Sequence, residues 1–218
     1  LELKAFEKLF SRNMKLMLGN VWRRELIMLV LCVIAVFQYA KIGQRPFFSD
    51  VMQGISDFRG NPYFPMSWFL IVIFNQVVIG DSFRKLILHD YPLVASISLG
   101  RYLFCSVLNL FSVGGANVLL LLVLTRHHSL HFAWTAAFCL LLFLACFAFL
   151  TLIFSPVICE GLVVVIAVLT IFADGMPFFG RLMFVRGTAI LPGDVLAALL
   201  MLIIIAWCGF RIKGLDFI

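Results

Sequence analysis

The sequence predicts an all-α integral membrane protein, with six transmembrane helices preceded by an amphipathic helix. Three observations carry this. Hydrophobic residues make up 63% of the 218 residues and charged ones only 13%, with mean hydropathy +1.10, a balance that a soluble domain of this size could not present to water. The apolar residues fall into runs near the length of about 20 that a helix needs to cross about 30 Å of hydrocarbon. The basic residues gather at the ends of those runs, so topology and anionic headgroups account for the net charge of +6 and no nucleic-acid partner is needed.

The chain opens on a basic segment, 4–22, in which Phe6, Leu9, Phe10, Met17 and Val21 recur at helical spacing while Lys8, Arg12 and Lys15 lie off that stripe. This is the pattern of a helix lying in the membrane interface. The first span follows at about 25–40, with Trp22 and Tyr39 as boundary aromatics. Gly43, Pro46, Gly54, Gly60 and Pro62 mark 41–63 as a loop with one short helix near Phe48 to Phe58. The second span covers about 64–80, with Pro65 in its first turn, where a missing amide hydrogen does no harm.

A polar, basic island separates the second span from the third, DSFRKLILHDYPLVASISLGR at 81–101. It is too charged to span. Phe83, Leu86 and Ile87 share one helical face, so 81–90 reads as a short amphipathic helix that Pro92 brings to an end. The third span covers about 102–125, where Ser112, Gly115 and Ala116 offer small surfaces for close helix contact. A tight turn follows, whose His127, His128 and His131 are too few to make a metal site and read as hydrated. The fourth span is 132–154, Ser155 and Pro156 turn the chain, and the fifth span is 157–174. Residues 176–192 are hydrophobic but broken by Gly and Pro, as in a re-entrant outer segment. Asp194 caps the sixth span, 195–210.

Orientation follows from counting Lys and Arg. With the N-terminus in the cytoplasm, the inner segments hold eleven (Lys4, Lys8, Arg12, Lys15, Arg23, Arg24, Arg84, Lys85, Arg101, Arg211 and Lys213) and the outer ones six (Lys41, Arg45, Arg59, Arg126, Arg181 and Arg186). Both termini and the 81–101 island then face the cytoplasm.

The sequence contains no GxxxxGK[ST] loop for nucleotide phosphates, no HExxH and no GxSxG, so an enzyme is not expected. Cys32, Cys105, Cys139, Cys146, Cys159 and Cys208 lie in apolar runs without a CxxC pair and read as small core residues. Asn75 and Gln76 on the second span, with Asn109 and Asn117 on the third, are read as interhelical hydrogen-bonding groups or as the lining of a substrate path. An ionisable group within a bilayer costs at least about 2.5 kcal/mol. Glu160, just inside the fifth span, is therefore read either as reaching back to cytoplasmic water or as a contact for a soluble partner at the Ser155–Pro156 turn.

Taken in order, the basic amphipathic segment from Lys4 to Trp22, the six spans, the helix Asp81 to Asp90, the broken hydrophobic segment Met176 to Pro192, and the short tail with Arg211, Lys213 and Asp216 resemble the membrane subunit of an ABC-2 type transporter. The resemblance covers the whole chain and is architectural. It implies the type V exporter-like permease fold, with the first segment as an elbow helix and 81–90 as a coupling helix. It further implies a bacterial cell membrane, a second permease subunit, identical or related, and two separate ATPase subunits that carry the ATP and Mg; no cofactor is expected in this chain. Phe83, Leu86, Ile87 and Leu88 would insert into a groove on the ATPase, with Arg84 and Lys85 tuning the contact. Compact loops resemble those of small members that export bacteriocins, amphipathic peptides or drugs. Two other classes stay open, a stand-alone membrane sensor or immunity protein without an ATPase, and a secondary transporter driven by an ion gradient.

Overall fold

The computed structural model of the chain describes residues 2–43, 54, 64–91, 97–124, 130–173, 176–186 and 190–213. Helix α1 runs unbroken over Glu2–Gly43, which corrects the expected division into an elbow helix at 4–22 and a span at 25–40. The reason lies in one continuous face. Leu9, Asn13, Met17, Val21, Met28, Cys32 and Ala35 are all buried and recur at helical spacing straight through the expected joint. Arg24, at that joint, turns sideways to an ion pair with Asp81 at 2.8 Å. At 1.5 Å per residue α1 is about 63 Å long, roughly twice the hydrocarbon thickness of a bilayer.

Helix α2 is Met66–Ile79. At Gly80 the backbone takes φ 48° and ψ −122°, and a Cβ there would collide with the Arg24 guanidinium. Both facts require glycine. The chain resumes at once as α3, Ser82–Lys85, and as a π-helical turn, Leu86–Asp90. Residues 81–90 are thus a kinked continuation of α2, where a separate surface helix was expected. Asp81 holds the kink by pairing with both Arg24 and Lys85, each at 2.8 Å.

The remaining helices are α4 (Leu99–Leu124), α5 (Leu130–Ile153), α6 (Pro156–Phe172) and α7 (Pro192–Lys213). No strand occurs among the described residues. Helix α5 is apolar all round and lies at the centre, against α2, α4, α6 and α7. Gly114 of α4 supplies the small surface, with its missing Cβ filled by Leu144. Ser112 and Ala116 are exposed and Gly115 faces open space, so the close contact is one position away from those expected. Helix α7 leaves Leu196, Leu199, Leu202, Ile203 and Phe210 exposed, a surface suited to lipid.

Four helices among the described residues are long and apolar enough to cross a membrane: Met66–Asp90, Leu99–Leu120, Leu130–Ile153 and Pro192–Ile212. Pro156–Phe172 is apolar but shorter, about 25 Å in length. The turn before it is closed by Ser155, whose hydroxyl accepts from the Ile158 amide at 3.4 Å.

Residues 176–186, the described part of the expected re-entrant segment, form two 3₁₀ turns, Phe179–Leu182 and Phe184–Arg186. They seat on the helix ends: Trp68 Nε1 donates to the Leu182 carbonyl at 2.9 Å, and the Phe143 and Phe179 rings meet edge to face at 4.7 Å. Arg186 donates to the Thr170, Ile171 and Ala173 carbonyls at the end of α6. Asp194 ties this segment to α7, accepting from the Phe178 amide (2.6 Å), Arg181 Nε (2.8 Å) and the Leu191 amide (2.7 Å). It is the third residue of a helix that begins at Pro192, and it caps by reaching back. The expected short helix at 48–58 (Gly54 aside), residues His127 and His128, Asp174 and the end of the tail lie outside the described residues.

Candidate functional site

The buried polar groups named from sequence lie on α2 (Asn75 and Gln76) and α4 (Asn109 and Asn117); these helices pack on each other and on α1, and the seam among the three is the candidate site. Two contacts set the register. Tyr102 Oη donates to Asp90 Oδ2 at 2.7 Å, and Ile79 Cδ1 lies 3.8 Å from the position of a Cβ on Gly114. Stepping back from Asp90 to Ile79 and forward from Tyr102 to Gly114 covers nearly equal lengths, so the two elements are antiparallel. One turn further along each come Asn75 and Asn117. Between the two contacts, Leu86 falls level with Ser106.

The seam is buried and incompletely bonded. Asn75, Ser82, Ser106, Asn109 and Asn117 are each at most 2% exposed. Among the described residues, both side-chain polar atoms of Asn75 lack a partner, as do Ser82 Oγ, Asn109 Oδ1 and Asn117 Nδ2. A buried polar atom left unpaired costs about 1–3 kcal/mol, so a core built only for stability would carry apolar side chains here. Gln76, on an adjacent face, differs: with its amide oriented to satisfy both groups, it donates to its own helix at the Val72 (2.8 Å) and Ile73 (3.2 Å) carbonyls. Gln76 therefore serves α2, and the unpaired polar atoms fall on Asn75, Ser82, Asn109 and Asn117.

Helix α1 closes the seam at its Asp90 end. Arg12 grips the Asp90 carboxylate with two hydrogen bonds, 2.7 and 2.8 Å, and the bond to Asp90 holds the Arg12 pKa above its usual value. Asn13 donates to Ser106 Oγ at 3.3 Å, and Asn109 donates to the Phe10 carbonyl at 3.4 Å. Arg12, Asn13, Ser82, Asp90, Tyr102 and Ser106 are members that the sequence reading did not single out. A signal for Asn13 exists in the sequence, since it takes its place between Leu9 and Met17 on the apolar stripe of α1.

The residues expected to couple to an ATPase divide into two groups. Phe83, Leu86 and Ile87 are buried to 2% or less, and Phe83 packs on Phe149 at 5.6 Å. Their shared face is covered by this chain's own helices, which corrects the expectation of a free face. Exposing it again would cost about 1.5–3 kcal/mol per side chain. Lys85 and His89 are exposed, and Arg84, Leu88 and Glu160 are half-exposed. Arg84 donates to the Thr151 (3.0 Å) and Phe154 (2.6 Å) carbonyls at the end of α5, joining the 81–90 stretch to the α5–α6 turn from which α6, with Glu160 in its first turns, departs.

All six cysteines are buried and unpaired, and no group of His, Cys, Asp and Glu that could hold a metal ion occurs among the described residues. Comparison with protein-family models, curated proteins and solved structures finds no match to this chain.

Proposed function

We propose that this chain is the membrane-spanning, non-catalytic permease subunit of an ATP-driven exporter of the ABC-2 type. It sits in the cell membrane with both termini in the cytoplasm and pairs with a second permease subunit. Six helices cross: the four named above, the C-terminal half of α1 and the shorter α6. The observation that carries the reading is the set of buried, unpaired polar atoms in the seam, both of Asn75 and one each of Asn109 and Asn117, whose cost to stability is explained if the seam is the closed form of a path for a cargo with polar groups, such as an amphipathic peptide or lipophilic compound. Two ATPase subunits carrying ATP and Mg supply the drive.

Coupling in this reading runs through the outer face of 81–90, not through Phe83, Leu86 and Ile87. Arg84, Lys85, Leu88 and His89 meet the ATPase, with Glu160 close to the same surface. The Arg84 bonds to the end of α5 support this, because a push on the kinked stretch would move α2, α5 and α6 together. The test is to purify the tagged chain in mild detergent from its native host and assay for a copurifying P-loop ATPase. A stoichiometric ATPase that is lost in the Lys85→Glu/His89→Glu variant supports the reading.

A second reading is favoured by one observation. The apolar face at Phe83, Leu86 and Ile87 is already covered, as suits a stand-alone membrane sensor or immunity protein. Absence of any ATPase from a preparation that stays folded would favour it.

A further inference from the structure

The N-terminal half of α1 carries a charge pattern that neither the seam nor the coupling surface uses. Lys8, Arg12 and Lys15 follow one another at helical spacing on one face, and with Glu7, Ser11 and Leu16 they line an open groove of about 630 Å³. On the other side of Leu16 a second groove of about 350 Å³ opens among Asn20, Lys85, Leu86, His89 and Asp90. Leu16 is the apolar ridge between them.

Two of the four Lys and Arg side chains of this ledge are already neutralised within the chain. Arg12 is paired with Asp90 and Lys85 with Asp81. Lys8 and Lys15 are exposed and have no ion-pair partner among the described residues. One carboxylate, Glu7, lines the same groove and leaves the balance positive.

The position of the ledge relative to the membrane is marked by two arginine–tryptophan pairs. Arg23 lies over the Trp22 ring at 5.3 Å and Arg211 over the Trp207 ring at 5.8 Å, the arrangement that favours the membrane–water boundary. Lys15 lies two turns before Trp22, about 10 Å along the axis, and Leu16 and Leu18 between them are exposed. Free ammonium groups therefore stand on the water side of the boundary, with bare aliphatic side chains leading from them to the hydrocarbon.

We propose that this ledge binds the phosphate of an anionic phospholipid headgroup, with Lys8, Ser11 and Lys15 as donors and an acyl chain lying along Leu16 and Leu18. Arg12, fixed by Asp90 and Tyr102, holds the groove in shape. The site depends on where the membrane boundary falls and not on the transport reading.

The test is native mass spectrometry of the full chain in mild detergent with equal amounts of phosphatidylglycerol and phosphatidylcholine. The wild type is expected to retain phosphatidylglycerol in preference. Lys8→Gln/Lys15→Gln is expected to lose about 25-fold in that retention, from about fivefold per lysine, while Arg23→Gln keeps it and all three unfold at similar temperatures. Equal retention of the two lipids by the wild type, or unchanged retention in the double variant, overturns the proposal. Displacement of phosphatidylglycerol by excess inorganic phosphate also overturns it, since the ledge would then be a site for free phosphate.

Discussion

Arg12 and Asp90 form a two-point ion pair, with guanidinium to carboxylate distances of 2.7 and 2.8 Å, and it closes the end of a buried polar seam. The carboxylate also accepts from Tyr102, so three elements meet on one side chain. Charge-assisted bonds of this kind contribute about 1.5–3 kcal/mol, and the 40% exposure of Arg12 places the pair at the lower end. Asp90→Asn is expected to cost about 2 kcal/mol in thermal unfolding in detergent. A double-mutant cycle with Arg12→Gln should show strong non-additivity, and additive losses would mean that the pair is not formed.

Gly80 is the hinge between α2 and its continuation. Alanine there meets both a left-handed φ of 48° and the Arg24 guanidinium. Gly80→Ala should destabilise by about 1–3 kcal/mol, and Arg24→Ala in the same chain should not restore it fully, because the backbone strain remains. Unfolding midpoints of the single and double variants check this.

At the opposite end Asp194 holds three donors with only 6% of its surface exposed. Asp194→Asn leaves Arg181 without its carboxylate and should cost about 3 kcal/mol. Because Trp68 is bonded to Leu182 in the segment that Asp194 anchors, the expected signature is a change in tryptophan fluorescence below the main transition. An unchanged emission profile would detach the segment from Asp194.

Asn75→Leu and Asn117→Leu separate a structural seam from a functional one. Replacing unpaired buried amides by apolar groups of similar size should leave stability unchanged or raised by about 1 kcal/mol. Under the exporter proposal, transport, or cargo-stimulated ATP hydrolysis by the assembled complex, should nonetheless fall. Full activity in both variants would reduce the seam to packing.

The all-helical character of this chain, with helices long and apolar enough to cross a membrane, is legible in sequence because a bilayer imposes run length and composition on each segment by itself. The unbroken course of α1 is not. Trp22, Arg23, Arg24 and Glu25 carry every local mark of a membrane boundary, and whether the helix bends there depends on Arg24 finding Asp81, 57 positions away. The amphipathic pattern of 81–90 is equally ambiguous, since one stripe of Phe83, Leu86 and Ile87 serves an outside partner or the chain's own α5. Asn75, Asn109 and Asn117 stand out as polar residues within apolar runs. That Asn109 turns to Phe10 of α1 while Gln76 turns to its own helix follows from a packing that no single segment encodes.

The most direct measurement concerns Asn75 itself. With the six native cysteines replaced, Asn75→Cys and Asn117→Cys would be probed with a membrane-impermeant thiol reagent in the presence of the partner ATPase, with and without ATP. If the seam is a closed transport path, both positions should be unreactive at rest and become labelled during turnover. Failure of either position to label in any state, while the chain keeps its unfolding transition and the ATPase still turns over, would contradict the account.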